Sequence, residues 1–251
     1  SYNESYYILY KMNNLILVRH GQSLWNKTRT FTGWADIDLT EQGKFEAEYS
    51  GQLIKKLNIE FDSYFTSVQI RAINTLSIIL NILKKSEVEF KKAWQLNERH
   101  YGELTGLNKD QMIKKHGEKQ VHIWRRSFDT PPPPMKTSNP HHPTKNKNYA
   151  NIPLNNIPAS ESLKNTFDRV VPYYEKEIEP LVSLKKNVLV SAHGNSLRAL
   201  CKKIFNISNK KIIDLEIPTG NPLLISFEDN LKMKEYKYLD NKRAKKILFN
   251  V

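Results

Sequence analysis

The chain has 251 residues, of which 39% are hydrophobic, and its formal net charge is +13. A chain of this length can bury a core without cross-links, and its single cysteine, Cys201, excludes an internal disulfide bond. No apolar run approaches the ~20 residues of a membrane-spanning helix, and residues 1–14 lack the pattern of a signal peptide. These features favour a cytoplasmic, reducing compartment, with Cys201 as a buried apolar residue.

The first strong pattern is an apolar run at residues 15–18 that ends in Arg19, His20 and Gly21. Consecutive leucine and β-branched residues predict a parallel strand that is buried on both faces. A second apolar run precedes His193 and ends in the same His-Gly pair. Because ligands of open α/β sheets bind beyond the carboxyl ends of the strands, we expect the two imidazoles to face each other.

A loop and then a helix follow the first strand. Thr40 is a predicted N-cap, and Phe45, Tyr49, Leu53 and Leu57 recur every four residues after it. We therefore expect these four side chains to form one apolar stripe on that helix.

A second strand and helix come next. Residues 61–65 predict a short strand, and a helix is expected to open at Thr66 and Ser67. This places Arg71 in the first turn of a helix, again at the carboxyl end of a strand. Residues 87–90 predict a further short strand.

Residues 94–158 interrupt this alternation and are expected to form an insertion that caps the strand ends. Helices are predicted at residues 108–117 and 118–126, and the prolines at 131–134 cannot continue them. Residues 135–158 are rich in Pro, Asn and Lys, and a loop of that length is typical of a functional or mobile segment.

The last third of the chain returns to alternating strands and helices. A helix starts at Ser160, another covers residues 196–205, and residues 223–227 and 233–239 predict a hairpin at the sheet edge. Residues 240–251 are basic and predicted to be helical or frayed.

Alternating strands and helices predict a three-layer α/β/α domain. Its central sheet is expected to be mostly parallel, with an antiparallel edge strand and a helical and loop cap over the strand carboxyl ends. Residues 1–13 are expected to be an N-terminal extension, and residues 14–251 a single domain.

The side chains expected at the strand ends form a site for a doubly charged anion. Arg19 and Arg71 offer planar donor forks that match phosphate. These arginines lower the pKa of a neighbouring His20, which is then neutral and able to attack phosphorus while His193 helps to hold the phosphoryl oxygens. Glu98 is the best-placed acidic residue to carry the proton that such a transfer requires.

Two features outside this group can be explained without a functional role. His141 and His142 lack a third or fourth ligand nearby, so a solvated loop is favoured over a metal site, and we expect no metal. Arg125 and Arg126 fit a solvated helix end and an anion contact equally well on composition.

Several longer blocks carry a resemblance to a known family. The chain resembles the cofactor-dependent phosphoglycerate mutases of the histidine phosphatase superfamily over roughly residues 14–239. The resemblance implies interconversion of 3-phosphoglycerate and 2-phosphoglycerate through a phosphohistidine, with 2,3-bisphosphoglycerate as the phosphoryl primer. The blocks are residues 17–27, 31–34, 66–68, 71–72, 96–102, 106–109, 124–126, 192–200 and 217–220.

The resemblance also implies a role for each matching residue. His20 corresponds to the phosphorylated histidine and Glu98 to the proton donor and acceptor, while His193, Arg19 and Arg71 correspond to the phosphoryl clamp. The family is often dimeric or tetrameric, which implies a homo-oligomer. The implied contacts to the phosphate and carboxylate of the substrate are Ser23, Asn26, Thr32, Gly33, Tyr101, Lys109, Arg125, Arg126, Gly194 and Asn195.

The resemblance has one departure close to the nucleophile. Gln22 stands where many members have glutamate, and we expect it to tune the site without abolishing function. Ser23 and residues 31–34 match the mutases, which favours a mutase over a bisphosphoglycerate synthase.

Two alternatives stay open. The first is a bisphosphoglycerate synthase or phosphatase, or another histidine phosphatase; a phosphatase would release inorganic phosphate. The second is a basic protein that binds nucleic acid or an anionic membrane, as the charge of +13 permits. The lysines are spread along the chain in pairs, however, and no basic stripe alternates with stacking aromatic residues. We therefore expect small phosphoglycerates as partners, and neither nucleic acid nor a membrane.

Overall fold

A computed structural model describes residues 13–247. Its sheet has the strand order β3-β2-β4-β1-β5-β6. The strands β1 to β4 pair in parallel, while β5 is antiparallel to both β1 and β6. The predicted mixed sheet with an antiparallel edge hairpin is therefore confirmed. The strands are β1 (Asn13–Arg19), β2 (Ser63–Thr66), β3 (Lys91–Lys92), β4 (Val188–Ala192), β5 (Leu223–Phe227) and β6 (Met233–Tyr238).

Helices follow most strands, as the alternating pattern predicts. A π-helical turn, Tyr174–Ile178, connects α6 to α7. Residues 1–12 of the expected extension lie outside the described residues, and Asn13 belongs to β1. The helices are α1 (Leu24–Lys27), α2 (Glu41–Lys55), α3 (Ile70–Ile82), α4 (Lys109–His116), α5 (Glu118–Arg126), α6 (Leu163–Tyr173), α7 (Glu179–Ser183) and α8 (Gly194–Ile204).

The strand β1 is buried on both faces, as its apolar run predicts. Leu15 and Leu17 pack into the cluster that α6 and α8 cover, and Ile16 and Val18 pack into the cluster that α2 and α3 cover. Full burial of such a side chain stabilises the fold by about 1.5–3 kcal/mol. This three-layer packing holds the carboxyl end of β1 rigidly at the middle of the sheet.

The apolar stripe predicted for α2 is only partly buried: Leu57 packs against the core, whereas the first two residues of the stripe do not. Phe45 is 63% exposed and Tyr49 is 41% exposed. The helix instead buries small residues, and a Cβ atom at Gly51 would lie only 2.9 Å from Ile82 Cβ. Small residues let α2 approach α3 and the loop after β1 closely, so they outweigh the larger apolar stripe.

Two predicted boundaries need correction. Thr66 ends β2, and α3 begins only at Ile70, whose backbone N–H donates to Asp36 Oδ1 at 2.7 Å. Residues 87–90 form no strand, because only the next two residues pair with β2. Of residues 240–251, predicted to be helical or frayed, Asn241–Arg243 form a short 3₁₀ turn, and residues 248–251 lie outside the described part.

The long loop at 135–158 packs tightly onto the domain. Tyr149 is buried, with its ring 5.3 Å from that of Trp34. Its hydroxyl donates to Trp34 O at 2.7 Å and accepts from Gln69 Nε2 at 3.1 Å. The loop therefore supports the segments around Trp34 and Gln69, which lie beside the strand ends.

Candidate active site

The two His-Gly strand ends meet, as predicted. Arg19 pairs with Ala192 in the parallel register of β1 and β4, and His20 N donates to Ala192 O at 3.0 Å. The His20 and His193 rings are consequently 5.0 Å apart, with an interplanar angle of 61°. Both imidazoles are buried.

His20 is held with one ring nitrogen engaged by the backbone. Its Nδ1 lies 2.6 Å from Gly21 O, and because a carbonyl only accepts, Nδ1 carries the proton. Burial, then Arg71 and Arg19, hold the pKa of His20 well below 6.5. The imidazole is therefore neutral at pH 7, with the lone pair on Nε2.

A close approach of two glycines fixes the backbone beside His20. A Cβ atom at Gly43 would lie 2.0 Å from Gln22 O, and one at Gly21 would lie 2.1 Å from Gly43 O. Gln22 accepts through Oε1 from Thr40 Oγ1, the N-cap of α2, at 2.9 Å. Gln22 is absent from the cavity wall and instead helps to join the loop after β1 to α2.

Arg71 is a buried cation that is oriented before any ligand binds. Its Nη1 donates to Ala35 O at 3.0 Å and its Nη2 to Gly33 O at 2.8 Å. Gly33 has φ +51°, and a Cβ atom there would lie 3.0 Å from Tyr101 N. A glycine is therefore required to present this carbonyl to Arg71.

His193 differs from His20 in its surroundings. Its Nε2 lies 2.7 Å from Ser67 Oγ, and the ring is not part of the cavity wall. Burial first, then Arg71 and His20, keep the pKa of His193 well below 6.5. The imidazole pair is thus unequal, and only His20 faces the cavity.

Glu98 is nearly buried and faces the same cavity. Its Oε1 accepts from Arg99 N at 2.7 Å and from Asn195 N, in the first turn of α8, at 3.1 Å. Its backbone N–H donates to Gln69 Oε1 at 2.8 Å. The carboxylate therefore bridges the segment at 94–158 and the second His-Gly strand.

An ion pair supports the backbone around Glu98. Arg169 donates from Nη2 to Glu98 O at 2.8 Å and from Nη1 to Gln95 O and Asn97 O at 2.7 and 3.0 Å. Glu161 pairs with Arg169 at 2.8 Å, and both side chains are at most 10% exposed. Sequence patterning missed this pair, because neither residue lies near Glu98 in the chain.

The cavity at the strand ends has a volume of about 250 Å³ and is lined mainly by polar and charged groups. It brings together most of the residues proposed from the sequence. Ser23 is the exception besides His193: it is fully buried and caps α1, accepting from Asn26 N at 3.1 Å. Its contact with a substrate remains a prediction. The lining residues predicted from the sequence are Arg19, His20, Asn26, Thr32, Gly33, Arg71, Glu98, Tyr101, Lys109, Arg125, Arg126, Gly194 and Asn195.

Sequence reasoning missed three charged residues on this wall: Arg198, Glu216 and Lys245. Arg198 is buried in α8 and donates to Asn195 Oδ1 at 2.8 Å. Its position one helical turn after Asn195 is a local signal that could have found it. Glu216 and Lys245 reach the wall only through the fold of the C-terminal segments.

The cations of the wall lie close together, and they lower one another's pKa. Burial first, then Arg126 and Arg99, lower the pKa of Arg198 to about 9. Burial lowers the pKa of Lys109 to about 8, and Arg125 adds to this effect. Burial alone would raise the pKa of Tyr101, but Arg99, Lys109 and Arg125 lower it to about 8. An anion in the cavity would relieve this repulsion.

Metal chemistry has no candidate ligand set in the described part of the chain. Among residues 13–247, no group of three or more His, Cys, Asp or Glu side chains is arranged to hold a metal ion. His141 instead packs edge to face against Trp25, with ring centroids 5.2 Å apart and an interplanar angle of 87°.

A neutral buried histidine beside two arginines, facing a cationic cavity, defines a centre for phosphoryl transfer. The chain belongs to the histidine phosphatase superfamily (branch 1), whose profile matches residues 15–141.

The relatives with similar sequences carry a more specific name. The chain is 54% identical over 237 residues to the 2,3-bisphosphoglycerate-dependent phosphoglycerate mutase of Pelagibacter ubique, covering 94% of this chain and 99% of the relative. It is 50% identical to the protein of the same name from Maricaulis maris, covering 93% and 97%.

Solved structures share the fold at lower sequence identity. A phosphoglycerate mutase from Bacillus anthracis is 21% identical, with a TM-score of 0.62 over 91% of this chain and 92% of that one. A mycobacterial glucosyl-3-phosphoglycerate phosphatase is 19% identical, with a TM-score of 0.64 over 90% and 96%. In residues 13–247, no helix is long and apolar enough to cross a membrane.

Proposed function

We propose that this chain is a 2,3-bisphosphoglycerate-dependent phosphoglycerate mutase, which interconverts 3-phosphoglycerate and 2-phosphoglycerate through a phosphohistidine. The observation that carries the proposal is the placement of His20: its Nε2 is the unprotonated ring nitrogen, in a cavity lined by Arg19, Arg71 and further cations. The two relatives that are 50% and 54% identical over nearly the whole chain support the choice of substrate.

The wall of the cavity suits a ligand with several negative charges. Lys109, Arg125 and Arg198 line the cavity, and burial together with neighbouring cations lowers the pKa of each. A phosphate or carboxylate oxygen that accepts from these donors would relieve their mutual repulsion. The residues therefore fit 2,3-bisphosphoglycerate, which supplies the phosphoryl group that primes His20 when it is bound.

The chemistry divides between His20 and Glu98. The lone pair of His20 Nε2 forms the N–P bond while the P–O bond of the phosphate ester breaks, and Glu98 donates a proton to the departing oxygen. In the return step, a substrate hydroxyl oxygen forms the new P–O bond and the N–P bond breaks. The electron pair returns to Nε2, and Glu98 accepts the proton of the hydroxyl.

The cations divide between the two ends of the cavity. Arg19 and Arg71 stabilise the equatorial oxygens of the transferred phosphoryl group, which carry the developing charge. A contact between His193 and these oxygens remains a prediction, because the His193 ring lies outside the cavity wall and its Nε2 lies 2.7 Å from Ser67 Oγ. Lys109, Arg125 and Arg126 lie in the cap segment and hold the remaining phosphate or carboxylate of the ligand. We also infer a cytoplasmic enzyme that acts on small phosphoglycerates, and its assembly into a homo-oligomer remains a prediction.

A coupled enolase assay tests the proposal. With 3-phosphoglycerate as substrate, we expect turnover that depends on added 2,3-bisphosphoglycerate, and inorganic phosphate release, measured in parallel, that is much slower. The variant His20→Ala provides the baseline. Phosphate release as fast as turnover would instead identify a phosphatase.

A further inference from the structure

The cavity wall contains a carboxylate that neutralises cations which a ligand needs. Glu216 Oε1 lies 3.0 Å from Arg126 Nη2, and Glu216 Oε2 lies 3.6 Å from Lys245 Nζ. All three side chains line the cavity. Glu98, the other carboxylate on this wall, accepts instead from backbone N–H groups.

The backbone of Glu216 is anchored close to the phosphoryl-transfer centre. Arg19 Nη1 donates to Ile217 O at 2.8 Å, and Gly220 N donates to Arg19 O at 2.9 Å. The C-terminal segment that carries Lys245 is fastened to the same stretch, because Arg243 Nη2 donates to Thr219 O. The backbone of Glu216 is therefore held beside the wall, although its side chain is 52% exposed.

The charges around Arg126 show why its contact with Glu216 weakens the binding of an anionic ligand. Arg126 lowers the pKa of both Arg125 and Arg198, so it belongs to the crowded cationic wall. An anionic ligand that engages Arg126 or Lys245 must compete with Glu216 and also approach its negative charge. Both effects weaken binding, and both grow as the surroundings become less polar.

We propose that Glu216 competes with the anionic substrate for Arg126 and Lys245, so that it limits substrate affinity, and that Lys245 is an additional substrate-binding residue. This inference rests on the proposed function, in which the ligand carries a phosphate and a carboxylate. The competing carboxylate keeps the cationic cavity from holding phosphoglycerates too tightly for release.

Direct titration with 3-phosphoglycerate tests the inference without turnover. Since exposed ion pairs are weak, we expect Glu216→Gln to lower the Kd about threefold at low ionic strength. The gain should shrink at high salt, because screening weakens interactions between exposed charges. Lys245→Met should raise the Kd.

A matched control separates this local effect from net charge. Asp168→Asn also removes one negative charge, from an exposed pair with Lys164 that lies outside the cavity wall. It should leave the Kd unchanged. An unchanged or higher Kd in Glu216→Gln, or an unchanged or lower Kd in Lys245→Met, would overturn the inference. If the wild-type chain fails to bind 3-phosphoglycerate at all, it is the proposed function that fails.

Discussion

Arg71 Nε lies 3.3 Å from His20 Nε2, so a guanidinium N–H points at the imidazole nitrogen that Gly21 leaves unoccupied. The contact both orients the nucleophile and disfavours its protonation. It also places the arginine where it can stay close to a phosphoryl group bound to that nitrogen.

The first prediction concerns the protonation of His20. Its pKa is lowered, so the imidazole must lose its charge at a lower pH than a free histidine and stay neutral at pH 6. Imidazole ¹⁵N NMR during a pH titration should show this, with the variant His20→Ala identifying the signals of His20. A His20 titration at or above pH 6.5 would contradict the conclusion that burial, Arg71 and Arg19 lower its pKa.

The geometry of Arg71 predicts a large effect of a substitution that keeps its charge. Arg71→Lys cannot donate to Gly33 O, Ala35 O and a phosphoryl group at once, because it lacks the planar fork. We expect kcat to fall by about 10²-fold, the typical cost of removing one donor to developing charge. Steady-state kinetics in the coupled assay measure it, and a fall of less than threefold would show that the fork is not needed.

The buried ion pair beneath Glu98 predicts a loss of stability. Glu161→Gln leaves Arg169 as a buried cation without its counter-charge, which costs about 3–5 kcal/mol. Urea denaturation measures the change in the free energy of unfolding. The exposed pair of Lys164 and Asp168 provides the control, because Asp168→Asn should change this free energy by less than about 1 kcal/mol. Equal effects of the two variants would rule out a special role for the buried pair.

His100 predicts part of the loss of stability in acid. Burial lowers its pKa to about 4, and its Nδ1 accepts from Gly102 N at 2.9 Å. Between about pH 6.5 and pH 4 the unfolded chain binds a proton at His100 that the folded chain does not, so stability falls as the pH falls. The loss amounts to roughly 2 kcal/mol at pH 5.

Two variants separate the contribution of His100 to the loss of stability in acid. His100→Gln keeps an acceptor for Gly102 N and cannot titrate, so its stability should fall less between pH 7.5 and pH 5 than that of the wild type. Urea denaturation at both pH values measures this difference. His122→Gln, at an exposed position, should behave like the wild type. An equal fall in His100→Gln and the wild type would place the acid sensitivity elsewhere.

The centre of the site was predictable because it depends on local signals. One fully apolar strand ends in Arg19 and His20, and a second ends in His193. This pattern leaves few possible positions for the two strands in the sheet and few possible registers between them. The roles of the two imidazoles were less evident from the strands alone. The contact between His193 and Ser67 joins residues 126 apart in the chain, and no periodicity predicts such a pair.

The errors have a common physical cause, since they concern contacts between elements. Phe45 and Tyr49 have helical spacing, yet α2 turns its small residues inward because they permit a closer approach to α3. Arg169 acts on Glu98 through backbone carbonyls, for which sequence carries no signal. Glu216 reaches the cavity because β5 starts opposite the carboxyl end of β1, and Lys245 reaches it because β6 runs back beside β5 to the same edge.

The most direct test of the central claim is a chase of the phosphorylated enzyme. The chain is incubated briefly with radiolabelled 2,3-bisphosphoglycerate, freed of ligand, and mixed with 3-phosphoglycerate. We predict an acid-labile, alkali-stable label on His20 that passes to the phosphoglycerates within one turnover, and no label in His20→Ala. Label on another residue, or label on His20 that only hydrolyses to inorganic phosphate, would contradict a mutase that acts through His20.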